Sequence, residues 1–271
     1  MSTRTDKPAS RTLLFAGRVT KEILRDPLSF VFCLGLPIVM LVGMYALFSS
    51  VSPWFTLDYL TPGIAVFSNA FIMLYTALLV SRDRSTAFLC RLYTSPMRTK
   101  DFVLGYALPG MAIGLSQLVI CWICAVVTGL VTNSTDWIDP VGILLAILTA
   151  LPMMVAYVFI GILFGCLFSD KAAPGLCSVI ISGGGFLSGA WSPIDTLSEG
   201  FQIFCRCLPF YPAVLMGRTA LSGVAATASN LWIPLATTVA YALVLAVLTV
   251  VTFATKTRHE AAWETNKKHR A

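Results

Sequence analysis

Residues 140–169 read PVGILLAILTALPMMVAYVFIGILFGCLFS, a stretch between Asp139 and Asp170 without one charged side chain. A helix rises about 1.5 Å per residue and the hydrocarbon core of a bilayer is about 30 Å thick, so about 20 apolar residues reach across it. The stretch neither alternates with period two nor breaks every ten residues, as strands of a membrane barrel do. A helix remains, because in lipid it satisfies its own backbone. The same reading repeats along the chain: charge-free runs occupy 27–57, 59–81, 102–135, 140–169, 172–194 and 219–255, the shortest of 23 residues. The predicted fold class is an all-α membrane protein with six transmembrane helices. The spans are expected at about 28–49, 60–81, 103–131, 140–168, 172–190 and 230–254, in one transmembrane domain over 28–255.

Composition agrees. Of 271 residues, 57% are hydrophobic and 12% charged, against about 25% charged in soluble domains. An ordinary soluble enzyme is excluded.

Six crossings leave both termini on one side, and short loops rich in Lys and Arg stay in the cytoplasm. With the loops sorted this way, 17 of 19 basic residues and eight of 13 acidic ones fall on the face holding the termini, leaving Arg206 and Arg218 with five acids on the other. The net charge of +6 therefore reflects membrane orientation, and no nucleic-acid partner is needed to explain it. The reading is a multi-pass protein of the cell inner (plasma) membrane with cytoplasmic 1–27 and 256–271. The first 27 residues are too polar, and the run after them too long, for a cleaved secretory signal.

Within 1–27, Leu13, Ala16, Thr20, Ile23 and Leu24 share a helical face while Arg11, Arg18 and Arg25 repeat every seven residues on another. This predicts an amphipathic helix on membrane lipid at the inner surface, ended by Asp26-Pro27. The longest inner connection, Arg82 to Asp101, reads as a short helix that Ser85 can cap. Ala87, Phe88, Leu89 and Leu92 give it an apolar side, and Ser95-Pro96 stops it. On the outer side, Leu197, Phe201, Phe204 and Leu208 in the segment 191–218 form a helical stripe broken by Pro209 and Pro212. It suits a helix dipping back into the outer leaflet or packing over the spans.

The spans contain nothing to titrate, which disfavours proton-coupled carriers and voltage sensors. His259 and His269 lie in the polar tail, which disfavours a serine–histidine hydrolase. There is no G-x-x-x-x-G-K-[ST], so the chain builds no P-loop. Gly183-Gly184-Gly185 suits close helix packing or a flexible point. Cys33, Cys121, Cys124, Cys166 and Cys177 lie in spans and Cys90 inside; only Cys205 and Cys207 face the oxidising side. No metal site is expected. Asn69, Tyr75 and Gln117 either line a passage or join helices.

With these pieces in order, the chain resembles the permease subunits of type-2 ATP-binding-cassette (ABC) transporters, particularly the daunorubicin-type drug-export branch. The likeness rests on the surface helix and first span, then Tyr59-Leu60-Thr61-Pro62-Gly63 and Arg91-Leu92-Tyr93-Thr94-Ser95-Pro96-Met97. It continues in Ser188-Gly189-Ala190-Trp191-Ser192-Pro193, Leu208-Pro209-Phe210-Tyr211-Pro212 and Arg218. One departure is Arg82-Asp83-Arg84-Ser85-Thr86, where members usually carry an acidic residue and a glycine.

The resemblance implies a transport subunit, not an enzyme. It would bind no cofactor itself, and ATP and Mg would be used by a partner ATPase. The implied partners are a cytoplasmic ABC ATPase and a second permease, identical or related. The surface helix and the inner segment would couple to the ATPase through Arg84, Phe88, Leu89, Arg91 and Leu92. The 191–218 segment would be an outer re-entrant gate, and Phe67, Asn69, Tyr75 and Phe186 would line the passage. Uncharged spans suit amphipathic or apolar cargo such as a drug, antibiotic or lipid-like compound. The alternatives are a polysaccharide-exporting permease, or a membrane enzyme or processing factor using cysteine or serine chemistry.

Overall fold

The computed structural model describes residues 8–85, 99–191, 193–223 and 228–268. Among them, regular structure is entirely helical: α1 (Pro8–Leu24), α2 (Pro27–Phe48), α3 (Leu57–Ser85), α4 (Thr99–Val131), α5 (Pro140–Leu167), α6 (Ala173–Leu187), α7 (Glu199–Cys207), α8 (Phe210–Leu221) and α9 (Ile233–Lys268). By length and composition, α3, α4, α5 and α9 can each cross a membrane, and shorter apolar helical stretches occupy Leu34–Phe48 and Ala173–Leu187. The 15 residues of α6 rise only about 22 Å, less than the hydrocarbon thickness. The expected inner helix after Ser85 falls outside the described residues.

Local chemistry sets the helix ends. Asp139 stands in extended conformation and accepts hydrogen bonds from the Val141 and Gly142 N–H groups at 3.2 and 2.8 Å, with Pro140 opening α5. This is the arrangement that satisfies first-turn donors without requiring one from proline. The polar break at Ser169–Ala172 then separates α5 from α6.

The bundle is built around α3 and α5, which share its most extensive helix contact. Small residues permit it. A Cβ at Gly161 would lie 2.5 Å from the Met73 carbonyl oxygen, and one at Gly165 would lie 2.6 Å from that of Ala77. Four residues apart on α5, these glycines bring two backbones together, the packing that replaces the hydrophobic effect in lipid. Gly161→Ala should lower stability by about 1–3 kcal/mol, because the neighbour is backbone and cannot rotate away. Gly43→Ala, where nothing lies within 4 Å, is the control. A thermal midpoint in detergent that falls equally for both would refute the seam.

Helix α1 packs on the start of α4 through one side and leaves leucines open on another. Thr12, Phe15, Ala16, Val19 and Ile23 are buried while Leu13, Leu14 and Leu24 are exposed. The aromatic residue decides the rotation. Phe15 stacks edge-on against Phe102 and Tyr106, with centroids 5.6 and 5.0 Å away, over the open face of Gly105. A ring buries more area than a leucine and gains from the edge-to-face geometry.

Candidate functional site

Three separated stretches of sequence converge at the end of the bundle opposite α1. The first turns of α3, the break following α6 and the helix α8 form a cap. Arg218, near the end of α8, donates from Nε to the Tyr59 carbonyl at 3.1 Å and from Nη2 to the Gly189 carbonyl at 2.8 Å. Its guanidinium also lies 3.4 Å from the centre of the Tyr59 ring, a cation–π contact. Partial burial pulls the guanidinium below its ordinary pKa, opposed by Tyr59, Tyr211, Asp195 and Asp58; arginine keeps its charge regardless.

The backbone of the break is shaped for this role. Gly189 has φ +68°, a left-handed conformation that glycine adopts without the penalty of a Cβ, and this turns its carbonyl toward Arg218. Ser188 fastens the turn by donating to the Gly185 carbonyl at 2.9 Å and accepting the Ala190 N–H at 3.2 Å. Ala190 then rests on Gly63, where an added Cβ would lie 2.8 Å from its Cα. Pro62 fills the space beside Gly217 in the same way, at 2.8 Å.

Aromatic groups continue the cap inward. Phe67 meets Trp191 and Phe71 at centroid distances of 5.1 and 5.6 Å, and Tyr157 meets Phe210 at 6.1 Å. Tyr211 donates to Asp195 at 3.3 Å; burial, with the Asp195 charge next, pushes its phenol up to about 12. The helix α7 leaves its apolar stripe unburied, with Phe204 53% exposed. Cys205 is buried and Cys207 exposed, and both are free thiols.

At the opposite, basic end lies a clamp. Tyr106 donates to Asp83 at 2.6 Å; both residues are buried. Arg18 of α1 approaches Asp83 at 3.8 Å and Glu22 at 3.4 Å, and Thr12 donates to Asp101 at 3.0 Å. Thus α1 is tied to the last turn of α3 and the first turns of α4. Arg84 donates to the Cys166 carbonyl and Lys256 to that of Leu167 at 3.2 Å, supplying cations and donors at the end of α5, where carbonyls lack helical partners.

Of the residues singled out from the sequence, Phe67 lies against Gly185, next to Phe186, which is 74% exposed. Asn69 is buried, and its Nδ2 donates to the Ala65 carbonyl at 2.8 Å. Tyr75 packs on the cluster nearer the basic end. These four therefore do not form one surface. Gln117 joins helices, donating from Nε2 to the Ser68 carbonyl at 2.9 Å. Arg84 is engaged with α5, while Phe88, Leu89, Arg91 and Leu92 lie outside the described residues. Tyr106 was not singled out, and Asp83 and Trp191 entered only within longer stretches, without a role of their own. The lone acid between Arg82 and Arg84 was the available signal for Asp83.

One helix joins the two ends. The 29 residues of α3 span about 43 Å, with Tyr59 in the cap and Asp83 in the clamp. No curated protein matches the chain. Residues 55–251 match the model of a family described as ABC-2 family transporter protein. That match runs from the start of α3 into α9 and takes in both ends of α3, so this multi-pass chain belongs to the ABC-2 family of transporter proteins, membrane permeases that work with ATPase subunits on separate chains.

Proposed function

We propose that this permease is half of an ATP-driven exporter. It crosses the membrane six times with both termini in the cytoplasm, pairs with a second permease, and docks two cytoplasmic ATPases that use ATP and Mg. Its cargo is an amphipathic or apolar compound, drug-like or lipid-like, moved outward. The observation that carries this reading is the placement of α3, whose two ends belong to two different polar assemblies. A push on the clamp by an ATPase closing on ATP is delivered along a rigid helix to the outer cap. Such a switch requires ligand contacts that differ between its two states; the ATPase supplies them at the clamp and the cargo at the cap. The charge pattern supports the orientation, since the clamp lies at the end rich in Lys and Arg.

The test is co-purification. Phe88→Asp should release the ATPase at least tenfold, since a charge in an apolar contact is left unpaired, while the thermal midpoint of the permease is unchanged. Stoichiometric ATPase retained by that variant removes the 85–95 segment from coupling. Transport that ignores an inactivating Walker mutation in the ATPase removes the exporter reading.

A further inference from the structure

Between α4 and α9 lies a recess of about 410 Å³ that belongs to neither the cap nor the clamp. Both helices lean on α5 and touch each other much less; at the basic end they meet through Phe102 and Phe253, whose rings stack with centroids 6.2 Å apart. Leu104 of α4 and Val247 and Val251 of α9 form the walls, Phe159 of α5 lies at the base, and Lys100 stands at the mouth. Apart from Lys100, the lining side chains are all hydrocarbon.

Charge and access select the occupant. The hydrocarbon walls offer a groove in which an acyl chain can lie. Leu104, Val247 and Val251 are exposed and so open the recess sideways to lipid. At the mouth Lys100 is also exposed, while the neighbouring Asp101 is held by Thr12 on the α1 side. The mouth therefore presents a cation one turn from the apolar walls, the spacing of a phosphate from the first carbons of its acyl chain.

We infer that this recess binds one acyl chain of an anionic phospholipid of the cytoplasmic leaflet, with its phosphate on Lys100. The inference rests on the orientation proposed above for the choice of leaflet, but not on the ATPase or the cargo. Bound there, the lipid fills the gap between α4 and α9 and ties α9 to the end of the bundle that α1 also grips.

The experiment adds phosphatidylglycerol or phosphatidylcholine with identical chains to the purified full-length permease and reads retained lipid by native mass spectrometry. One phosphatidylglycerol per chain is expected, held about fivefold better than phosphatidylcholine, the preference a single lysine confers near a membrane surface. Lys100→Gln should erase that preference, and Ala246→Phe, which fills the recess, should abolish retention of both lipids. Lys100 is exposed, so its variant tests the site even if Ala246→Phe fails to fold. Unchanged selectivity in Lys100→Gln, or unchanged retention in a folded Ala246→Phe, overturns the proposal. So does conversion of a dimer to monomer by Ala246→Phe, which would assign the recess to a second copy of the chain. Failure of ATPase co-purification leaves all of these readouts intact, so the two readings fail separately.

Discussion

Arg218→Ala is expected to reduce transport by more than about a hundredfold while leaving the chain folded and the ATPase bound. Two charge-assisted hydrogen bonds leave with the side chain, each worth about 1.5–3 kcal/mol, and the contact with the Tyr59 ring goes with them. A loss of about 3–5 kcal/mol at one joint exceeds the 2.8 kcal/mol that a hundredfold shift requires. The rest of the bundle does not depend on this joint: the α3–α5 seam is held by glycine contacts farther along both helices. Arg218→Lys should recover only a small part, because an ammonium restores the charge but cannot reach two diverging carbonyls with one planar fork. The measurement is cargo uptake into inverted vesicles, with ATPase binding and the thermal midpoint in parallel. Uptake within threefold of the parent in Arg218→Ala would mean that the cap does not participate in the cycle.

The residues explain why the cap was partly legible in the sequence and the clamp was not. Long uncharged runs announce helices because lipid permits little else, and Asp139-Pro140 announces a helix start through its own capping chemistry. The stretches at 59–63, 188–193 and 208–212 stood out as carriers of the family resemblance, and the last also as a proline-marked break, so residues of the cap were visible in the sequence. What the sequence withheld was their meeting, which depends on φ at Gly189 and on a cation reaching carbonyls 159 and 29 positions away. The packing of α1 through Phe15 had no local signature, because its partners Phe102 and Tyr106 are supplied by another helix. For Asn69 the sequence left open a passage role or a bond between helices. The burial of this residue within the bundle is a tertiary fact with no local signature.

The clamp yields the second large effect, and magnitudes decide which of its contacts matters. Asp83 faces a buried hydroxyl at 2.6 Å and a guanidinium at 3.8 Å on a half-exposed arginine. An ion pair of the latter kind is worth less than about 1 kcal/mol. Removing the Tyr106 hydroxyl, in contrast, takes a short hydrogen bond from a buried carboxylate, at a cost of about 1.5–3 kcal/mol. Tyr106→Phe should therefore lower coupled transport about a hundredfold, with basal ATP hydrolysis by the bound ATPase retained. Asp83→Asn should stay within about fivefold of the parent, since its amide oxygen still accepts from Tyr106 and the pair with Arg18 is weak. The double variant should then outperform Tyr106→Phe alone, because burying a neutral amide beside a phenyl ring costs less than burying a carboxylate there. That inversion is the informative result. A merely additive double variant would show that the hydrogen bond and the carboxylate act independently, and an Asp83→Asn variant as defective as Tyr106→Phe would transfer the role to the Arg18 pair and hence to α1 itself.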